Sequence, residues 1–161
     1  MNKVCVIAGV GPGNGASLSR RFSAEDYTVV MLARNQDYLD SLSREIPGSI
    51  PMVCDVREPD AIKAVFSQIH DRAGSVDTLV YNAGSGQWTS IMETSVEGMR
   101  SSWTTNTLGL LVCAQQVIPG MSERDEGNIM VIGATASLRG GAQSTAFASA
   151  KAAQRSLAQS M

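Results

Sequence analysis

Ala8-Gly9-Val10-Gly11-Pro12-Gly13-Asn14-Gly15-Ala16 follows directly on the apolar run Lys3–Ala8. An apolar run that breaks into alternating glycines and resumes with Leu18 and Phe22 at helical spacing reads as strand, tight turn and helix. A pyrophosphate needs close approach to the backbone, free N–H groups and a helix N-terminus behind them, and side chains would obstruct all three. Glycine clusters also arise from turn geometry alone. The placement here, between the first strand and the first helix, makes Gly9, Gly13, Asn14 and Gly15 candidate contacts for the phosphates of a dinucleotide.

The remainder of the chain keeps the same alternation. Thr28–Ala33 is a continuous apolar run suited to a strand covered on both sides. Asn35 can cap a helix running to about Ile46, where Pro47-Gly48 stops it. Ile50–Cys54 reads as the third strand, and Pro59 opens a helix to about Ala73 with Ile62, Val65 and Ile69 on one stripe. Thr78–Tyr81 is the fourth strand. A long helix from about Glu97 to Ile118 is expected to end at Pro119-Gly120, followed by a fifth strand at Asn128–Ile132 and an alanine-rich helix at Ala146–Ser160. Strands alternating with helices predict one α/β domain over residues 1–161, a doubly wound parallel sheet of Rossmann type flanked by helices.

Composition narrows the function classes. With 161 residues and 43% hydrophobic content the chain can bury one core, and a net charge of −2 carries no electrostatic footprint for nucleic acid or an anionic membrane. The opening MNKVCVIAGV turns into glycines too soon for a secretory signal, and no apolar stretch reaches the roughly 18 residues of a spanning helix. Cys5, Cys54 and Cys113 are scattered in apolar runs without C-x-x-C spacing, which predicts buried thiols in a reducing, cytoplasmic compartment and no metal site. His70 falls near the end of an amphipathic helix, remote from the glycine turn.

Which dinucleotide is set at the end of the second strand. An NAD site usually has a carboxylate there, roughly 20 residues past the glycines, to accept from the ribose hydroxyls. This chain has Ala33-Arg34, and a guanidinium pairs with a 2′-phosphate that a carboxylate would repel, so NADP(H) is favoured over NAD(H). The other reading of Arg34 is a solvated residue at a helix start. Asp55, after the third strand, has two readings as well: it accepts from the adenine amino group, or it caps the following turn.

Four motifs in order resemble the short-chain dehydrogenases/reductases over essentially the whole chain. Gly9-x-x-x-Gly13-x-Gly15 looks like that family's glycine motif, Asp55-Val56 is similar to its adenine-side pair, and Tyr81-Asn82-Ala83-Gly84 resembles its Asn-Asn-Ala-Gly segment. Trp103-Thr104-Thr105-Asn106-Thr107-Leu108-Gly109 resembles the helix that carries its catalytic asparagine. The resemblance implies hydride transfer between a nicotinamide and the carbonyl or alcohol of a small-molecule substrate. It assigns Asn82, Ala83 and Gly84 to the cofactor, Asn106 to a water-holding role and Lys151 to the nicotinamide ribose; the other reading of Asn106 is a backbone hydrogen bond beside a helix kink.

The family's acid/base tyrosine stands four residues before that lysine, where this chain has Phe147. Its substrate-orienting serine falls, without a gap, on Ala134; a three-residue gap brings Ser137 into place, and a one-residue slip brings Thr135. The candidates to stand in for the missing phenol are Lys151 acting through a water relay and the hydroxyls of Thr145, Ser149 and Tyr81. Family members continue past this helix with further strands and a substrate loop, so the resemblance implies a piece of a longer product whose last strand here is an open edge with Ile129, Val131 and Ile132. It also implies a homo-oligomer, with Ala146, Ala148, Ala150, Ala152 and Ala153 permitting close helix approach; the other reading turns these alanines toward the sheet. Two functions stay open: an NADP(H)-dependent oxidoreductase with an atypical proton path, and a non-catalytic NADP(H)-binding sensor or assembly module.

Overall fold

The apolar runs become strands whose alternate residues point to opposite faces, and a helical layer covers each face. The structure, a computed structural model, describes residues 2–161. Val4–Ala8 (β1), Thr28–Ala33 (β2), Ile50–Val53 (β3), Thr78–Tyr81 (β4) and Asn128–Val131 (β5) form one parallel sheet in the order β3-β2-β1-β4-β5. Val4, Val6 and Ala8 of β1 face Pro59–Ala73 (α3) and Gly109–Arg124 (α5), packing with Ile62, Phe66, Leu110 and Cys113. Cys5 and Ile7 face the other way, toward Asn14–Ala24 (α1) and Gln36–Glu45 (α2), and pack with Ala16, Leu39 and Leu42. Fully burying each valine, leucine, isoleucine or phenylalanine among them contributes roughly 1.5–3 kcal/mol. The predicted doubly wound α/β class is the observed one.

Local signals hold at several ends. Asn35 Oδ1 accepts from Tyr38 N at 3.0 Å and caps α2, and Pro59 occupies the first turn of α3. All three cysteines are free and buried; desolvation pushes the thiol of Cys5 up to about 12 and that of Cys54 up to about 11. His70 is exposed at the end of α3.

The long helix departs from its expected form twice. It is Val96–Trp103 (α4), a π-helical segment Thr104–Leu108 and then α5, which runs through Pro119 to Arg124 instead of ending at Ile118. Proline removes one N–H from a helix. Here Pro119 and Gln115, whose carbonyl loses its donor, are both exposed, so water can take the bond. The helix ends at Asp125, which holds a left-handed conformation at φ 53°.

Thr145–Ala158 (α6) packs against α4 and the π segment of its own chain. Ala146, Ala148 and Ala150 are buried there, and the carbonyls of Ala146 and Ala150 lie within hydrogen-bond reach of Ser102 Oγ and Thr107 Oγ1, at 3.2 and 3.1 Å. The small residues at 146, 148 and 150 therefore serve a close approach inside the chain, and only Ala152 is exposed. Strand β5 is an edge of the sheet, with Ile129 and Val131 half-buried and Met130 exposed.

Candidate dinucleotide site

Strand order reverses between β1 and β4, and in open parallel sheets ligands bind outside the carboxyl ends of strands at such a point. Gly9 leaves β1 with φ +97°, a conformation that side-chain-bearing residues avoid, and an added Cβ would stand 2.4 Å from Ala83 N. Asn82 Nδ2 donates to Gly9 O at 2.6 Å and joins the β1 and β4 loops. Gly13 precedes the first turn of α1, no side chain caps that helix, and a Cβ built at Gly11 or Gly13 meets only open space. Asn14 is exposed in that turn, while Gly15 is buried against Gly9 and Val10. This is a backbone cradle of the kind phosphates occupy.

A cleft of about 250 Å³ lies beside Gly9. Arg34, Asp55 and Val56 line one part of it and Asn82, Ala83 and Gly84 another, so six further sequence-predicted positions converge on one space. Arg34 is exposed and makes no ion pair among the described residues. Asp55 takes the turn-capping form: Oδ1 accepts from Arg57 N at 3.0 Å, and both carboxylate oxygens accept from the Arg57 guanidinium at 2.5–3.1 Å. Those hydrogen bonds hold its carboxyl below the usual carboxylate range, with a smaller contribution from the charge of Arg34. Arg57 also lines the cleft. Sequence reasoning passed over it, although it is the second residue after Asp55, where an Asx turn places its partner.

The π segment builds the inner wall. Its wide turn is closed by Gly109 N to Thr104 O, so that N–H does not reach Thr105 O, its partner in an α-helix. Tyr81 Oη donates to Thr105 O at 2.5 Å and Gln154 Nε2 donates to Asn106 O at 2.9 Å. Asn106 is fully buried, and its Nδ2 donates to Ser102 O and Ser85 O at 2.7 and 2.6 Å. Two carbonyl partners fix the orientation of that amide and leave Oδ1 as a buried acceptor without a donor. The backbone-bond reading of Asn106 is the one seen, beside a helix irregularity, and its Oδ1 is left without a partner.

Lys151 is buried, with Nζ donating to Ile132 O at 2.9 Å and to Gln154 Oε1 at 2.8 Å. Desolvation lowers its pKa from the ordinary lysine value. Gln154 was not singled out in the sequence, although a long amide one turn past Lys151 in an alanine-rich helix is a visible anomaly. Phe147 covers Gly86 so closely that a Cβ there would lie 2.7 Å from its ring, and its centroid is 5.3 Å from that of Trp88. The position of the expected phenol is therefore a hydrocarbon wall. Tyr81 cannot replace it, because its hydroxyl is committed to Thr105 O in the core and burial raises its pKa. Ser149 donates locally, with Thr145 O at 2.8 Å and Ala146 O at 3.1 Å. Ala134 is extended and precedes a 3-10 turn at Thr135–Ser137 that packs on α6, with Ser137 half-buried.

The family model described as short chain dehydrogenase matches residues 3–161. Carbonyl reductase family member 4 of Xenopus laevis is 26% identical over 151 residues, covering 94% of this chain and 64% of the relative. L-fucose dehydrogenase of Bos taurus is 29% identical over 154 residues, covering 94% of this chain and 56% of the relative. The chain thus spans less than two thirds of the length of either relative. Among solved structures, a short-chain dehydrogenase from Rhodopseudomonas palustris superposes with TM-score 0.92 at 32% identity, covering all of this chain and 77% of that one. An actinorhodin polyketide ketoreductase variant crystallised with NADPH superposes with TM-score 0.90 at 28% identity, covering 94% of this chain and 60% of that one. No helix among the described residues is long and apolar enough to cross a membrane. On this match of sequence and fold, the chain belongs to the short-chain dehydrogenase/reductase family.

Proposed function

We propose that this protein binds NADP(H) in the cleft beside Gly9 and is the cofactor-holding part of an oxidoreductase acting on a carbonyl or alcohol. The observation that carries the reading is the convergence of Gly9, Arg34, Asp55, Val56 and Asn82–Gly84 on one cleft at the strand-order reversal. The open turn Gly11–Gly13 and the first turn of α1, with Asn14 and Gly15, receive the pyrophosphate. Arg34, free of carboxylate partners among the described residues, pairs with the 2′-phosphate, which favours NADP(H) over NAD(H). The adenine lies against Val56 and the Asp55–Arg57 pair. Lys151 and the open acceptor of Asn106 face the nicotinamide ribose across Gly84.

When bound, the nicotinamide supplies or accepts hydride. The chain's own contribution to proton movement is restricted: Phe147 has no proton to give, and Ser137 reaches the place of the substrate-orienting serine only through a three-residue gap, Ala134 standing there without one. The aromatic wall of Phe147 and Trp88 favours a second reading, an NADP(H)-binding module without turnover. A homo-oligomer is part of the proposal. Val96, Met99 and Trp103 are exposed on one stripe of α4, an apolar surface suited to a second copy of the chain.

Titrating the longest available gene product with NADPH and NADH, followed by fluorescence, tests the reading. Arg34→Ala should weaken NADPH by about 10- to 100-fold and leave NADH nearly unchanged, as expected for loss of a charge-assisted pair. Equal loss for both nucleotides would remove the phosphate assignment, and no binding of either by the unaltered protein would overturn the function. NADPH oxidation across a carbonyl panel then separates the enzyme from the binding module.

A further inference from the structure

Gln154 is 1% exposed, and an amide buried without partners is destabilising, so its bonds account for its place. Both ends are engaged: Oε1 accepts from Lys151 Nζ at 2.8 Å and Nε2 donates to Asn106 O at 2.9 Å. An ammonium has three N–H groups. Gln154 takes one, Ile132 O takes a second at 2.9 Å, and one is left. A Cβ built at Gly84 would stand 3.5 Å from Lys151 Nζ and 3.3 Å from Asn106 Oδ1, so the cleft-lining Gly84 has a donor and an unpartnered acceptor side by side behind it. A hydroxyl can accept from the one and donate to the other.

We propose that Gln154 is a positioning residue: by bridging Lys151 and the main-chain carbonyl of Asn106 it fixes the remaining ammonium N–H beside Gly84 for a ribose hydroxyl of the dinucleotide. The inference rests on the NADP(H) reading above. Its physical content is preorganisation. A lysine side chain carries substantial rotamer entropy, and a clamp made before the ligand arrives removes that cost from binding. The π segment is part of the clamp, because Asn106, whose carbonyl Gln154 reaches, lies within it.

The test compares NADPH with 2′,5′-ADP, which has the adenosine and its phosphates but no nicotinamide ribose. Gln154→Met keeps the length and removes both hydrogen bonds. In the longest gene product it should weaken NADPH by about 10-fold, the loss of about 1.4 kcal/mol, and leave 2′,5′-ADP unchanged; the latter also reports that the variant is folded. Gln154→Asn, too short to span both partners, should repeat the pattern. Unchanged NADPH affinity in both variants, or equal losses for the two ligands, would overturn the inference while leaving the NADP(H) reading in place. Reductive methylation followed by peptide mass spectrometry probes the clamp without any nucleotide: Lys151 should react slowly in the unaltered protein and several-fold faster in Gln154→Met. Equal rates would refute the clamp, and failure of the unaltered protein to bind NADPH would remove the ribose from the proposal.

Discussion

Asp55 and Arg57 form the tightest charged contact of the cleft, and the pair makes a titration prediction. Hydrogen bonds from Arg57 stabilise the carboxylate, so Asp55 should titrate below its ordinary value of 3.8. The stability this contributes is complete above that value and is lost as pH falls through the depressed one. Arg57→Ala should bring the titration back up toward the ordinary value, as carboxyl carbon NMR would record; no movement would mean that the pair does not persist in solution. Phe147 carries the second prediction at this scale. If the absent phenol limits turnover, Phe147→Tyr in the longest gene product should raise NADPH-linked carbonyl reduction by about 10²–10⁴-fold, the range for a positioned acid/base. An unchanged rate would place the limit elsewhere.

The π segment is the element on which the inner wall depends. Asn106 holds Ser85 O and Ser102 O together and thereby ties the loop after β4 to the helix. Asn106→Ala should cost about 1–3 kcal/mol by leaving those carbonyls without their donor, a drop of roughly 2–12 °C in Tm for a chain of this size. A calorimetric scan that found no change would show that water replaces the amide. The irregularity itself was only partly legible. Leu110, Leu111, Ala114, Val117 and Ile118 keep helical spacing, and one extra residue per turn hardly disturbs that pattern. What holds the wide turn open comes from elsewhere in the chain, from Tyr81 and Gln154. Pro119 shows the converse: its local rule predicts a stop, and exposure of the neighbouring carbonyl lets the helix continue.

Across the whole molecule, one run of open apolar surface lies on α4 and the loop before it, where Trp88, Ile91, Met92, Val96 and Trp103 are exposed. If that stripe meets a second copy, Trp103→Glu together with Val96→Glu should lower the oligomeric state in sedimentation velocity without loss of Tm; an unaltered sedimentation coefficient would clear this face of the role. The sequence by itself determined the strand count, the parallel α/β class, the glycine turn and the positions of Arg34, Asp55 and Asn82–Gly84, because periodicity and backbone demands act over a few neighbouring residues. Tertiary structure alone decided that Asp55 is held by Arg57, that Tyr81 is locked in the core, that Ala146 and Ala150 face their own chain, and that Gln154 joins Lys151 to Asn106. Most of those outcomes turn on hydrogen-bond partners and packing faces brought together from distant parts of the chain. Even the Asp55–Arg57 contact, local in sequence, depends on which groups compete for the same carboxylate in the folded cleft.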